Sequence, residues 1–139
     1  MSTIDQAVAA AGTTLPEVIT GHMGGKSVPV NAGAKLLGVY FPGTGEQIAS
    51  LQEDDANAVA TAVSTARASF NRGEWSRAST ATRQAVFRNA AKLIRDHAEE
   101  LAVLECACAG LPSSHLASRQ VPRAADNLDF FADYIGVIA

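Results

Sequence analysis

Residues 80–112 read TATRQAVFRNAAKLIRDHAEELAVLECACAGLP, and the spacing of their apolar positions decides the fold. Val86, Ala90, Leu93, Ile94, His97, Leu101, Leu104 and Cys108 recur three or four residues apart, the period of one helix face. Ser79 stands in front as an N-cap, Gly110 sits where a left-handed C-cap belongs, and Pro112 follows it. The pattern predicts a single helix over 80–109. At a rise of about 1.5 Å per residue it would run ~45 Å, longer than a compact domain of this size is wide. A helix of that length implies that the chain is part of something larger.

Outward from this stretch, residues 114–138 read as a third helix capped by Ser113 or Ser114. Leu116, Ala124, Leu128, Phe131 and Ile135 share its apolar face. Pro122 lies inside the pattern and should kink the helix or start its main part. Toward the N-terminus, residues 53–72 read as a first helix. Glu53-Asp54-Asp55 place acids at its positive end, Val59, Ala62, Val63, Ala66 and Phe70 form its stripe, and Gly73 ends it. Residues 23–52 read as extended: a short strand over Val28–Val30 with Pro29 marking an edge, a second run over Leu36–Phe41, a turn at Pro42-Gly43-Thr44-Gly45, and a third strand over Gln47–Leu51 with Ile48 and Leu51 inward. Residues 1–22 read as a flexible leader, with at most a turn of helix over Ala7–Ala11 before Gly12 and Pro16. The expectation is an α/β chain: a small antiparallel β meander followed by three helices, the second long and the third kinked near Pro122.

Composition bounds the rest. One domain fits into 139 residues, and 47% hydrophobic with 18% charged residues is the composition of a folding chain. The net charge is −3 and no segment is strongly basic, since residues 53–100 carry seven charges of each sign. That argues against a nucleic-acid footprint. No apolar run approaches the ~18 residues of a membrane span, and Met1-Ser2-Thr3-Ile4-Asp5 lacks the basic start of a signal peptide. A cytoplasmic chain is expected. Cys106 and Cys108 are two apart on a helix, pointing about 200° away from each other, so they read as two buried, unbridged thiols in a reducing compartment.

Little in the residues speaks of chemistry. Asp54-Asp55 and Glu99-Glu100 read as solvated helix faces, and His22, His97 and His115 lack metal-ligand spacing. His97 falls on the apolar stripe and is expected to be partly buried. Gly43-Thr44-Gly45 reads as a turn between strands, because no third glycine or immediate helix makes it a phosphate cradle. The arginines at 67, 72, 77, 83, 88 and 95 are interleaved with acids and read mostly as solvated surface. No catalytic, cofactor-binding or metal-binding residue emerges.

Five blocks in order nevertheless resemble the N-terminal part of the NAD(P)-dependent aldehyde dehydrogenase superfamily over residues 23–139. They are Met23-Gly24-Gly25-Lys26, Phe41-Pro42-Gly43-Thr44-Gly45-Glu46, Ala62 through Phe70, Trp75-Ser76 with Arg83, and Val121-Pro122-Arg123-Ala124-Ala125-Asp126-Asn127-Leu128-Asp129-Phe130-Phe131-Ala132. This last block, with Gly110-Leu111-Pro112, is similar to the hydroxymuconic-semialdehyde dehydrogenase branch, which acts in aromatic degradation. The resemblance implies that Arg123 holds the remote carboxylate of a semialdehyde substrate, a task suited to a planar guanidinium. It also implies departures. Cys108 stands where relatives carry an Asp that helps bind a structural monovalent cation, Ala109 follows it, Phe41 replaces an Asn, and Leu128 replaces a Phe.

The family's nucleophilic Cys, general-base Glu, oxyanion Asn and cofactor-binding Lys and Glu match no position of this chain. The parallel Rossmann-like sheet and the catalytic domain are likewise absent from it. The resemblance therefore implies NAD(P) for an intact family enzyme, no cofactor bound by this chain alone, and no catalysis by it alone. Two roles follow as expectations: a part of an aldehyde-oxidising oxidoreductase, which the uncapped end at Ala139 favours, or a non-catalytic small subunit or interaction module. The expected partners are a second copy of the chain or a full-length aldehyde-dehydrogenase-type chain.

Overall fold

The computed structural model describes residues 3–10 and 12–138, which form two compact units: residues 16–77, and residues 3–10 and 12–15 together with 78–138. Ala11, the last residue of the expected N-terminal turn, and Ala139, the expected uncapped end, lie outside the described residues.

In residues 16–77, β1 (Val18–Ile19), β5 (Gln47–Gln52) and β4 (Leu36–Tyr40) form a sheet in the order β1-β5-β4. β4 and β5 pair antiparallel as expected, with Leu37 opposite Leu51 and an irregularity at Val39/Tyr40. The expected meander does not extend further. β1 pairs parallel to β5, Val18 opposite Ser50, and β2 (His22–Met23) with β3 (Lys26–Ser27) makes a separate hairpin. Gly24 and Gly25 close that hairpin at φ +60° and +81°, the two left-handed positions that a two-residue hairpin turn requires. Val28–Val30 is not a strand; the Val28 N–H instead donates to Gly21 O. α2 (Ala56–Arg72) begins three residues later than expected. Asp55 is its N-cap, accepting from the Ala58 N–H at 2.8 Å, while Glu53 lies outside and pairs with Lys35 at 2.9 Å. Its C-terminus closes on Gly73 at φ +68°. The predicted apolar stripe is present, but no residue of α2 is buried: Val63 is 63% and Phe70 67% exposed.

The other unit is helical. Residues 1–22, expected as a flexible leader, contribute α1 (Thr3–Ala10), whose Ile4 and Val8 are buried and which packs on α4. The rest of that stretch supplies β1 and β2 to the first unit. The single helix expected over 80–109 is two, α3 (Thr80–Asp96) and α4 (Ala98–Ala109), because His97 leaves the helical region at φ −108°, ψ 23°. The caps at Ser79 and Gly110 are where the sequence places them, with Ser79 Oγ accepting from the Thr82 N–H at 3.1 Å. The third helix is also divided. α5 (Ser113–His115) runs into a π-turn (Leu116–Gln120), and α6 (Val121–Ile138) follows. The Val121 N–H bonds Leu116 O, five residues back, just before Pro122 removes the next donor. The extra residue in this turn resets the buried face. It runs through Leu116, Val121, Ala125 and Ala132 with Leu128 and Ile135 half-buried beside them, while Ala124 and Phe131, expected inside, are exposed.

α3 and α6 pack antiparallel over buried alanines, Ala91 on one helix and Ala125 and Ala132 on the other. Polar contacts line the seam: Gln84 Nε2 donates to Ala132 O at 2.9 Å, Arg88 pairs with Asp133 at 2.7 Å, and Arg95 pairs with Asp126 and Asp129 at 2.7 and 2.8 Å. These hydrogen bonds to Asp126 and then Asp129 raise the Arg95 pKa further above its ordinary value. Two of the arginines expected as mere surface thus fasten α6 to α3.

His97, expected to be partly buried, is exposed at the α3–α4 junction, with Nδ1 2.9 Å from Glu100 Oε2. Glu100 Oε1 accepts from the Thr13 hydroxyl at 3.0 Å, tying the segment after α1 to α4. The hydrogen bond from His97, and after it that from Thr13, lowers the Glu100 pKa below the usual glutamate value. A depressed carboxylate stabilises the fold above its unfolded pKa and loses that contribution as pH falls through the folded one. The Thr13 tie should therefore persist through pH 5 and loosen below the ordinary glutamate range, about pH 4.3. An NMR titration should place the Glu100 midpoint below that range. His97→Gln should raise the midpoint more than Thr13→Val does; an ordinary midpoint in the unsubstituted chain would refute the tie.

Candidate functional site

Arg123 is the third residue of α6. Val121 and Ala125, both buried, flank it on the inward face, and a side chain two positions from each projects to the opposite side. The segment is anchored by Leu116, the largest fully buried side chain, at 2% exposure. Leu116 packs with Ala102 and Val121 against Ile94, Ala98, Cys106 and Ala117, so α3, α4, the π-turn and α6 meet beneath the site. The result is an exposed guanidinium on a rigid base. Among the described residues, no carboxylate lies within ion-pair distance of Arg123.

Arg119, in the π-turn, is exposed in the same way and was not singled out by sequence patterning. The signal was available: between Glu105 and Asp126 the sequence holds no acid, only Arg119, Arg123 and His115. His115 is exposed, and its Nε2 lies 3.4 Å from Gln120 Nε2.

The remaining chemistry-bearing residues do not assemble. His22, His97 and His115 lie on β2, at the α3–α4 junction and on α5, and no group of three potential metal ligands forms among the described residues. The two thiols are free, but neither is buried: Cys106 is half-buried and Cys108 exposed. The donor set at the end of α4 does not fit the monovalent cation that the resemblance implies, because a thiol is a soft ligand and Ala109 brings no side-chain oxygen. Gly43-Thr44-Gly45 is a turn, as expected. The Thr44 and Gly45 N–H groups donate back to Phe41 O, and the Glu46 N–H donates to Thr44 Oγ1, so these amides do not converge on a phosphate. No described helix is long and apolar enough to cross a membrane.

Comparison with known proteins gives this arrangement a context. The profile of the "Aldehyde dehydrogenase family" matches residues 30–139. The chain is 34% identical over 113 residues to "Putative aldehyde dehydrogenase DhaS" of Bacillus subtilis (strain 168), covering 81% of this chain and 23% of that protein. It is 32% identical over 118 residues to "2-aminomuconic semialdehyde dehydrogenase" of Danio rerio, covering 85% of this chain and 23% of that one. The crystal structure of Gamma-glutamyl-gamma-aminobutyraldehyde dehydrogenase from Burkholderia cenocepacia J2315 superposes with a TM-score of 0.82 at 28% identity, over 96% of this chain and 27% of that chain. The chain thus spans about a quarter of the length of the relatives it matches.

Proposed function

Because the chain belongs to the aldehyde dehydrogenase family, we propose that it supplies the N-terminal part of an oxidoreductase that oxidises an aldehyde with NAD(P), and that it is not catalytic alone. The family match over residues 30–139 carries this reading. Aldehyde oxidation needs a thiolate nucleophile, a base to activate water, and a pocket for the nicotinamide. Cys106 and Cys108 lie on α4 with no base within hydrogen-bond distance among the described residues. NAD(P) belongs to the intact enzyme, where the remaining polypeptide would hold it. Purified chain mixed with NAD+ or NADP+ and a panel of aldehydes should produce no reduced nicotinamide above the protein-free rate. Turnover with no second protein present would overturn this reading.

Within that enzyme, Arg123 is the residue that holds the carboxylate of a semialdehyde substrate. Its exposure, its lack of a carboxylate partner and its rigid base support the assignment, as does a relative named for a semialdehyde. A charge-assisted hydrogen bond contributes about 1.5–3 kcal/mol. In an intact polypeptide carrying this segment, Arg123→Leu should therefore raise KM for carboxylate-bearing semialdehydes roughly tenfold to a hundredfold. KM for neutral aldehydes should stay within about twofold, and equal changes for both would remove the assignment.

The exposed apolar face of α2 favours a second role, in which the chain is a small non-catalytic subunit that self-associates or docks on a full-length aldehyde-dehydrogenase-type chain. The first role leaves the isolated chain poorly folded, whereas the second makes it a stable oligomer. A size measurement joined to a thermal melt separates them, and a compact, cooperative monomer would count against both.

A further inference from the structure

The chain has eight arginines, and six of them have a partner within the protein. Arg67 lies over the Phe70 ring, Arg72 pairs with Glu74, Arg77 bonds Arg72 O, Arg88 and Arg95 hold acids of α6, and Arg83 is also engaged. The two left without a partner among the described residues are Arg119 and Arg123, four positions apart on one continuous helical run.

From this we propose that Arg119 and Arg123 together form a two-point clamp for a small dicarboxylate. The inference rests on the reading of Arg123 as a carboxylate ligand and adds a second cation to it. Residues four apart on a helix are surface neighbours, with Cβ atoms about 5–6 Å apart. In a uniform α-helix such a pair drifts by about 40° around the axis. The π-turn holding Arg119 turns less per residue than an α-helix, so it offsets part of that drift and brings the two Cβ atoms toward one line.

Charge supports the same occupant. From 106 to 125 there is no acid, so nothing on this run competes with an incoming carboxylate. The neighbouring α6 acids do not compete either, since Asp126 and Asp129 are held by Arg95 and Asp133 by Arg88. Each guanidinium can grip one carboxylate through two parallel N–H groups, and two grips select a dianion over a monoanion of equal length. His115, four residues before Arg119, already contacts Gln120 and is not part of the clamp.

The test uses an intact polypeptide carrying this segment, 15N-labelled, titrated with adipate or with hexanoate, which matches its length but carries one charge. Adipate should shift the amides of residues 116–124 and bind at least tenfold more tightly than hexanoate, weakening as salt is added. Arg119→Gln and Arg123→Gln should each reduce adipate binding to the hexanoate level while leaving the rest of the spectrum in place. Equal binding of the two acids would overturn the clamp. If Arg119→Gln is silent and Arg123→Gln abolishes binding, the clamp fails and the single-arginine reading stands. If Arg123→Gln is silent and Arg119→Gln abolishes binding, the reading of Arg123 itself falls and the clamp falls with it.

Discussion

Leu116→Ala is expected to destabilise the helical unit by about 2–5 kcal/mol, the range for deleting a buried leucine side chain. Leu116 is only 2% exposed and is the centre of the cluster with Ala102 and Val121. Half of the partners around it are alanines, which are too short to swing into a void. The cost should therefore fall toward the upper end of the range, because a cavity that cannot collapse keeps its full lining unpaired. Whole-domain stabilities are about 5–15 kcal/mol, so one substitution would remove a large share of the total. The helical signal in a urea titration would report it as a lower midpoint at unchanged slope. A loss below about 1 kcal/mol would mean that Leu116 is not the keystone of this core. The same substitution would also loosen the base beneath Arg119 and Arg123, so adipate binding should weaken along with stability.

Ala132→Leu is the second large effect, and it acts by the opposite route. Ala132 is fully buried, and its carbonyl accepts from Gln84 Nε2 across the seam with α3. Buried alanines allow α3 and α6 to approach closely, leaving no volume for three added carbons. Overpacking of this kind costs about 1–3 kcal/mol, since side chains must leave their rotamers or the helices must separate. Separation would in addition lengthen the Arg88–Asp133 and Arg95–Asp129 contacts that line the same seam. Ala124→Leu makes the same chemical change on the exposed side of α6 and should stay within about 0.5 kcal/mol. Comparing the thermal midpoints of the two variants isolates the packing term. Equal effects would show that helix propensity, and not the seam, governs the response.

What was legible in the sequence follows from how far each signal reaches. The caps at Ser79, Gly73 and Gly110 depend on groups within a few residues of themselves, and the structure realises Ser79 as a side-chain cap and both glycines at positive φ. The β4–β5 pairing was readable for the same reason, because two apolar runs joined by a short Gly-rich turn have one near partner. The resemblance to the family was readable because spaced motifs do not require knowledge of the fold. Arg119 was overlooked because its meaning lies in the lack of acids and of a partner around it, and neither registers as a motif.

The amino-acid sequence by itself determined where the three longer helical stretches lie, the closing groups at Ser79, Gly73 and Gly110, and which family the chain belongs to, since these rest on short-range spacing and residue identity. Tertiary structure alone decided that the stretch 80–109 breaks at His97, that Leu116–Gln120 widens into a π-turn, and that β1 joins β5 in parallel. The physical reason is shared. An apolar spacing of three and four looks the same on one helix as on two that keep phase across a single residue, and the choice between them is made by what each segment packs against. A two-residue strand has almost no signal of its own and exists because a distant edge supplies its hydrogen bonds.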